Sequence, residues 1–265
     1  MKALIDADIL RYEVGFAGEA AIKAVSDGEE LVSDWAWVEN ILFERFNRIL
    51  DETGCSDYNF FLTEKDSFRQ EIAVTKPYKG QRVSHRPWHF ANLTAVITNH
   101  FNCVIARDGL EADDEIAIAN MAAEATVVCS RDKDLRQLEG WYYSWELGKQ
   151  PRLGPTLIEN PGSIWLSDDR KRLEGFGHMW FYGQLLVGDR ADNIPGVEKC
   201  GPVAAYGMLQ RHKELGGAWE AVRRTYQDRY RENWQDRLTE QARLLYLVRT
   251  YPYEMWTIEK EEASL

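Results

Sequence analysis

Short apolar runs alternate with longer amphipathic stretches through the first half of the chain. The runs have the length of buried strands, and the stretches between them carry apolar residues at helical spacing. Strands are predicted at residues 2–6, 58–62, 103–106 and 126–129. Helices are predicted at residues 34–52, 87–99 and 111–124. This order is typical of parallel βαβ units, so we expect an α/β fold with a central, mostly parallel sheet flanked by helices.

Polar side chains and a glycine mark the ends of two predicted helices. Ser33 or Asp34 is expected to cap the first helix, and Gly54 to end it. Ser130 is expected to cap a short helix over the residues DKDLRQL. The apolar positions of the first helix are predicted to include Trp37, Ile41, Phe46 and Ile49.

Two segments break this pattern. Residues 63–86 lose periodicity, and residues 151–167 are rich in proline and glycine, as expected of a join between sub-domains. Beyond the second segment the pattern is helical. Helices are predicted there at about residues 178–187, 202–211, 217–231 and 237–249.

Composition and charge narrow the class of protein. The 265 residues are 45% hydrophobic, as in a globular protein, and the net charge of −11 has the wrong sign for a simple nucleic-acid binder. Basic residues are nevertheless concentrated in the irregular segment, where a solvated loop is the simpler interpretation. They are Lys65, Arg69, Lys76, Lys79, Arg82 and Arg86. The Asp within MKALIDADIL argues against a secretory signal, and no stretch approaches the roughly 20 apolar residues of a membrane span. The four cysteines show neither CxxC pairing nor His companions, which indicates a reduced, cytoplasmic protein.

Carboxylates form four tight groups where apolar runs give way to turns or helix starts. The groups are Asp6; Glu111, Asp113 and Asp114; Asp132 and Asp134; Asp189 and Asp192. The first three follow predicted strands, so a parallel sheet would bring them to one edge. Two carboxylates about 4 Å apart repel by roughly 4 kcal/mol at an effective dielectric near 20, so such a cluster needs divalent cations. Taken singly, each pair is also ordinary for the start of a helix.

The last acidic group lies in a glycine-rich helical hairpin, GDRADNIPGVEKCGPVAAYGML. A Pro195–Gly196 turn leads to a helix start at Gly201–Pro202. Exposed backbone N–H groups at such a turn and helix N-terminus suit a phosphate. An ordinary helical hairpin with glycines at its corner is the alternative.

Taken together, the blocks EADDEIA, SRDKDLRQL and GDRADNIPGV resemble the signature blocks of the 5′ nuclease family. This family comprises flap endonucleases, the 5′-nuclease domains of bacterial DNA polymerases and short phage 5′→3′ exonucleases. LIDADILRY resembles its first block, and SFRQE with YKGQR its basic segment. The resemblance covers about residues 2–210, and the short phage-type exonucleases are the nearest subgroup.

The resemblance implies roles for individual residues. Asp6, Glu111, Asp113, Asp114 and Asp132 match an inner metal site, and Asp134, Asp189 and Asp192 a second one. Arg69, Lys79 and Arg82 match basic residues that steer the scissile phosphate. Gly196, Val197 and Gly201 match the hairpin that grips duplex DNA, often around a potassium ion, and Lys199, Lys76 and Arg86 are further candidate DNA contacts.

The resemblance also implies a fold and a function. We expect a PIN-like nuclease core at residues 1–160 with a flexible basic arch at about 63–90, and a helical DNA-binding region at residues 161–265 that includes a helix-hairpin motif at 188–210. The expected activity is Mg²⁺-dependent hydrolysis of DNA near a 5′ end, nick, gap or flap, by two or more ions that Mn²⁺ can replace. RNA–DNA hybrids are a further candidate substrate, and a phage-encoded protein would act in the host cytoplasm.

Three positions depart from the family pattern. A carboxylate is usual at the end of the second strand, where this chain has Leu62 and Thr63. Pro202 follows the second hairpin glycine in place of the usual lysine, and Asp8 has no family counterpart. One inner-site ligand is therefore missing from the sequence pattern.

Two other functions fit parts of the sequence. A haloacid-dehalogenase-type phosphatase uses a DxD block such as Asp6-Ala7-Asp8, although EADD and SRDKD then have no role. A DNA-structure-binding protein with a degenerate nuclease site would account for the missing carboxylate. Assays of hydrolysis with a small phosphate ester and with DNA distinguish the phosphatase from a nuclease. Metal-dependent release of nucleotides from a labelled duplex would decide against the DNA-structure-binding protein.

Overall fold

A computed structural model describes residues 1–25, 34–82 and 85–265, so the proposed Ser33 cap lies outside the described residues. The chain divides into two compact units. The sheet unit comprises Met1–Lys65, Val83–Asp132 and Trp141–Thr156. The helical unit comprises Asp66–Arg82, Lys133–Gly140 and Leu157–Leu265.

Strands form a six-stranded sheet and a separate two-stranded hairpin. The strands are β1 (Lys2–Asp6), β2 (Asp57–Leu62), β3 (Cys103–Ile105), β4 (Thr126–Cys129), β5 (Gly140–Ser144), β6 (Leu153–Ile158), β7 (Ser163–Leu166) and β8 (Leu173–Phe176). The large sheet has the order β3-β2-β1-β4-β5-β6, and β7 pairs with β8. β1 is parallel to both β2 and β4, so the carboxyl ends of these three strands lie at one edge. The predicted α/β fold with a mostly parallel sheet is confirmed.

Helices occupy most of the remaining described chain. They are α1 (Ala7–Val25), α2 (Trp35–Thr53), α3 (Phe68–Ile72), α4 (Phe90–His100), α5 (Ala112–Ala122), α6 (Gly177–Val187), α7 (Pro202–Leu209), α8 (Leu215–Tyr230), α9 (Trp234–Leu245) and α10 (Ile258–Ala263). Within the described residues, none of these helices combines the length and apolar character that a bilayer crossing requires.

The ends predicted for α2 are confirmed, and so are the buried positions Phe46 and Ile49, but Val38 and Leu42 are buried in place of Trp37 and Ile41. The Asp34 side chain accepts a hydrogen bond from the Ala36 N–H at 3.1 Å, and Gly54 ends the helix with φ +65°. The buried positions are Val38, Leu42, Phe46, Ile49 and Thr53. Trp37 was wrongly assigned to this face and is 40% exposed. The i, i+4, i+8 series that packs against the sheet consists of Val38, Leu42 and Phe46.

Several elements were absent from the sequence interpretation. α1 follows β1 without a connecting loop, so its start at Ala7 is hidden behind the apolar run of the strand. Strands β6 and β7 occupy much of residues 151–167, which the proline and glycine content marked as a join, and β5 and β8 lie on either side of it. α3 lies inside the basic segment that was expected to be irregular.

The core of the helical unit forms around α6. This helix is buried nearly all round, which explains why its sequence, GHMWFYGQLLV, shows no polar face. Phe181 and Leu185 are fully buried and belong to one cluster with Trp219 and Tyr226 of α8. The Tyr226 hydroxyl donates to the Leu185 carbonyl at 2.7 Å.

A tight turn follows α6 and positions two of the acidic residues. Asp189 and Ile194 exchange two backbone hydrogen bonds of 2.8 and 2.7 Å. Gly188 and Gly196 flank the turn with φ values of +71° and +65°, and their backbones are in direct contact. Glycine is required here because a side chain would both strain the backbone and collide with the facing strand of the turn.

Gly188→Ala is therefore expected to destabilise the protein by roughly 3 kcal/mol or more. The new Cβ would lie 2.3 Å from the Ile194 carbonyl oxygen and 2.4 Å from the Gly196 nitrogen. The matched control is Gly207→Ala in α7, where a Cβ meets nothing within 4 Å. That change should be neutral or stabilise by about 0.5–1 kcal/mol. Urea unfolding measures both, and equal stability of the two variants would contradict this account of the turn.

Candidate metal centre

Asp6 ends β1 and is almost completely buried. Its Oδ1 accepts a hydrogen bond from the Ile9 N–H at 3.1 Å, and its Oδ2 accepts one from the Ser130 hydroxyl at 2.6 Å. Ser130 Oγ also accepts from the Asp132 N–H at 2.8 Å. Ser130 was expected to cap a helix, which is wrong, since a short 3₁₀ helix begins only at Asp134 (Asp134–Gln137). The serine instead joins the carboxyl ends of β1 and β4.

The electrostatics of Asp6 show that further carboxylates are close to it. Burial raises the pKa of Asp6 to about 7, and the charges of Asp8 and Asp132 add to this effect. Hydrogen bonds from Ser130 and Ile9 oppose the rise in pKa. The edge of the sheet thus concentrates negative charge, as the sequence predicts.

Asp8 lies beside the end of β2, where the family pattern has a carboxylate and this chain has Leu62 and Thr63. The Thr63 N–H, just beyond β2, donates to both Asp8 oxygens at 3.2 Å. Arg11 donates to Asp8 at 2.7 Å and to the Thr63 carbonyl at 3.2 Å. Burial raises the pKa of Asp8, the Arg11 charge and Thr63 hydrogen bonds lower it, and the Glu111 charge raises it further. A carboxylate therefore lies at the end of β2, although it is supplied from α1.

The EADD block begins α5. Asp114 is fully buried and accepts a hydrogen bond from the Glu111 N–H at 3.1 Å, whereas Asp113 is partly exposed in the first turn. The Ala112 N–H donates to Thr63 Oγ at 2.8 Å and ties the start of α5 to the end of β2. We call Asp6, Asp8, Glu111 and Asp132 the sheet acidic group. Asp113 and Asp114 lie in the first turn of α5, where the helix dipole favours acidic residues even without a metal ion.

A second and tighter group lies in the helical unit. Asp134, Asp189 and Asp192 each offer a carboxylate oxygen within 4.8 Å of the others. In the described part of the chain, no other three His, Cys, Asp or Glu side chains meet this criterion. We call these three residues the helical acidic cluster. Asp189 and Asp192 are buried, and Asp134 is partly buried.

Cations and neutral donors surround the helical acidic cluster. Lys133 contacts Asp134 at 2.9 Å and also contacts Asp189. Arg82 pairs with Asp192, which also accepts a hydrogen bond from the Tyr78 hydroxyl at 3.0 Å. The Gln184 amide also donates to Asp134 at 2.5 Å, and the Ala191 N–H donates to Asp189 at 2.7 Å.

The donor set of the helical acidic cluster fits a divalent ion. Carboxylate oxygens are the ligands preferred by Mg²⁺ and Mn²⁺. Oxygens that share one such ion, each at about 2.1 Å, lie roughly 3–4 Å apart. The separation of up to 4.8 Å is close to that range, and the ammonium beside two of the carboxylates shows that the cluster accepts a cation.

The predicted phosphate-steering residues have different environments. The Lys79 N–H donates to the Asp192 carbonyl at 2.9 Å, and its ammonium lies 4.8 Å from the centre of the Tyr78 ring. The Arg82 side chain is 52% exposed. Arg69 is buried and donates to the Leu244 and Tyr246 carbonyls at 3.1 and 3.0 Å, so in this structure it anchors α3. Its catalytic role stays a prediction.

The remaining candidate DNA contacts lie in both units. Lys76 and Arg86 are exposed, and Arg86 packs over the Phe90 ring at 4.9 Å. The Gly196 N–H donates to Gln241 at 2.9 Å, and the Val197 side chain is buried. Lys199 and Gly201 are exposed. The prediction of duplex binding at the hairpin therefore depends on the Lys199 and Gly201 end of the loop.

Sequence reasoning missed several residues that organise these groups. Ser130 and Thr63 act through contacts with residues far away in the chain, and their identity gives no signal of it. Gln184 lies in an apolar helix, where a buried amide in GHMWFYGQLLV could have been noticed as a polar residue in need of a partner.

The raised pKa of Asp6 predicts how stability depends on pH without metal. Unfolded Asp6 ionises near pH 4, whereas the folded protein keeps it protonated up to about pH 7. Its stabilising contribution is therefore complete below pH 4 and lost as pH rises towards 7. In EDTA, the free energy of unfolding of Asp6→Asn relative to the original protein should rise by roughly 2–3 kcal/mol between pH 5 and 7.5.

Urea unfolding across this pH range provides the measurement for Asp6→Asn. Asp51→Asn removes an exposed charge from the same unit and serves as the control. A difference between Asp6→Asn and the original protein that stays constant with pH would contradict the raised pKa.

Comparison with known proteins identifies relatives for part of the chain. The chain is 32% identical over 142 residues to DNA polymerase I of Rhizobium leguminosarum, a match that covers 51% of this chain and 13% of the polymerase. It is 32% identical over 123 residues to DNA polymerase I of Borreliella burgdorferi, covering 44% of this chain and 12% of that protein. This chain therefore corresponds to a small part of these polymerases. No family profile matches the chain.

Solved structures share the fold over nearly the whole chain. A phage T5 5′-exonuclease with bound zinc ions has a TM-score of 0.58 at 14% identity, covering 92% of this chain and 89% of that one. The phage T5 D15 flap endonuclease in a complex with DNA and metal ions has a TM-score of 0.57 at 14% identity, covering 93% and 89%. The resemblance inferred from the sequence is thus confirmed, and the chain has the fold of the phage T5 5′-exonuclease and flap endonuclease.

Proposed function

We propose that this protein is a divalent-metal-dependent 5′ nuclease that hydrolyses DNA phosphodiesters near a 5′ end. The observation that carries the proposal is the helical acidic cluster, three carboxylates within 4.8 Å of one another. Support comes from the fold, which is shared with T5 proteins crystallised with metal ions and DNA. The partial match to DNA polymerase I points to the same chemistry.

The acidic residues would hold the ions. In the helical unit the ligands are Asp134, Asp189 and Asp192, and in the sheet unit they come from Asp6, Glu111, Asp113, Asp114 and Asp132. A bound Mg²⁺ or Mn²⁺ supplies an acidified water and neutralises charge on the phosphate and the leaving oxygen. K⁺ at the helical hairpin is part of the same proposal.

The basic segment would position the scissile phosphate. Lys79 and Arg82 follow Tyr78, whose hydroxyl binds Asp192, so the segment is attached to the helical acidic cluster at its centre. The Arg82 guanidinium already pairs with Asp192 and is half exposed. Transferring such a cation from a carboxylate to a substrate phosphate would offset the charge that develops during hydrolysis. Lys76, Arg86 and Lys199 would contact the DNA backbone without sequence preference.

Asp8 is included in this proposal as the carboxylate at the end of β2. Its contact with the Thr63 N–H places it near Glu111 in the sheet acidic group. The position left open by Leu62 and Thr63 in the family pattern is thereby filled from a different element.

Asp8→Asn is expected to lower the rate of Mg²⁺-dependent DNA cleavage by roughly 10–100-fold, the range typical of groups that support a metal site. The amide keeps the size of the side chain but loses its charge. Asp108→Asn, an 83% exposed carboxylate of the same unit, is the matched control. Single-turnover cleavage measures the effect, and wild-type rates for Asp8→Asn would remove this residue from the site.

The function itself is tested with 5′-labelled flap, nicked, gapped and blunt duplexes and an RNA–DNA hybrid, with and without Mg²⁺. Cleavage should require Mg²⁺ or Mn²⁺ and should release products from the 5′ end. Asp134→Asn should reduce it by more than about 100-fold, a larger loss than for groups outside the ligand sphere, while DNA binding persists. Asp228→Asn, an exposed carboxylate of the same unit, should retain activity.

Two results would contradict the nuclease. Hydrolysis of p-nitrophenyl phosphate with no action on DNA would indicate a phosphatase. Tight binding of flap DNA without metal-dependent cleavage would indicate a DNA-structure-binding protein.

A further inference from the structure

Lys133 occupies an unusual position between two members of the helical acidic cluster. Its Nζ lies 2.9 Å from Asp134 and also contacts Asp189, the carboxylate that is only 4% exposed. The ammonium therefore bridges two side chains separated by 55 positions in sequence. Asp134 and Asp189 are both among the residues that would hold a divalent ion.

The backbone of Lys133 is fixed by a buried tryptophan. Trp180 of α6 is 2% exposed, and its indole N–H donates to the Lys133 carbonyl at 2.9 Å. The base of the lysine side chain is thus held by the core of the helical unit. Its side chain is nevertheless 41% exposed. A flexible four-carbon stem with this exposure can turn its ammonium towards solvent while the backbone stays in place.

Neutral donors cannot replace this ammonium. The Gln184 amide and the Ala191 N–H bind Asp134 and Asp189, but they bring no net charge. Two carboxylates whose oxygens lie within 4.8 Å of each other still repel. A positive charge placed between them removes the repulsion, as a metal ion would.

We propose that Lys133 is the internal counter-ion of the helical acidic cluster: it holds Asp134 and Asp189 together without metal, and an incoming divalent ion displaces it. The inference rests on the proposed function, because it assigns the ion to this cluster. Lys133 is a positioning residue and does not itself act on substrate. The ammonium and the ion use the same oxygens, so each weakens the binding of the other.

Two quantities should change in opposite directions in Lys133→Met, which keeps the length of the side chain and removes its charge. Mn²⁺ should bind about tenfold more tightly, the change given by roughly 1.4 kcal/mol of lost competition. In EDTA the urea midpoint should fall, and saturating Mn²⁺ should restore it. Isothermal titration calorimetry and urea unfolding give these values without any activity assay.

The controls separate charge at this site from charge in general. Lys213→Met removes an exposed positive charge from the same unit and should change neither quantity. Lys133→Arg keeps the charge and should retain the urea midpoint in EDTA. A Lys133→Met protein that is unfolded in EDTA and folds on addition of Mn²⁺ would be the extreme form of the expected result.

Other outcomes overturn the proposal. Unchanged or weaker Mn²⁺ binding by Lys133→Met would do so, as would a protein that stays unfolded with Mn²⁺ present. If the original protein cleaves DNA with Mg²⁺ while Lys133→Met matches Lys213→Met in both measurements, the counter-ion role fails and the nuclease remains. If the original protein binds no Mn²⁺, both proposals fail.

Discussion

Three carboxylates within 4.8 Å of one another persist only beside positive charge, and this constraint organises the helical unit. Its cations come from separate parts of the chain: Arg82 from the basic segment and Lys133 from the start of the 3₁₀ helix. Backbone hydrogen bonds close the turn between Gly188 and Gly196 and so fix Asp189 and Asp192 relative to each other. The turn is closed so tightly that neither glycine has space for a side chain. The packing of α6 supports this turn. The same helix also holds the backbone of Lys133 through the Trp180 side chain.

In the sheet unit, the repulsion between carboxylates is reduced in different ways. Asp6 is buried beyond the reach of water, and the consequence is a pKa raised to about 7. Asp8 is partly neutralised by Arg11 instead. One carboxylate is thus protonated near neutrality without metal, and the other is ion-paired. In the proposed function, divalent ions would neutralise both carboxylates directly and so allow an acidic chain to bind a polyanionic substrate.

The sequence predicted the elements that carry the acidic residues because their signals are local. The apolar runs that end at Asp6 and Cys129 gave the strands, and parallel pairing then placed their ends at one edge. The start of α1 was missed because no turn separates it from β1. The roles of Ser130, Thr63 and Lys133 were missed for a different reason. Each depends on a side-chain contact across more than 50 residues, and residue spacing contains no information about such contacts.

A crystal structure of the protein grown with Mn²⁺, with anomalous scattering recorded at the manganese edge, tests the central claim most directly. The account predicts an anomalous peak among the carboxylates of Asp134, Asp189 and Asp192, with the Lys133 ammonium moved away from Asp189. Peaks confined to other places, with the lysine still bridging its two carboxylates, would contradict it.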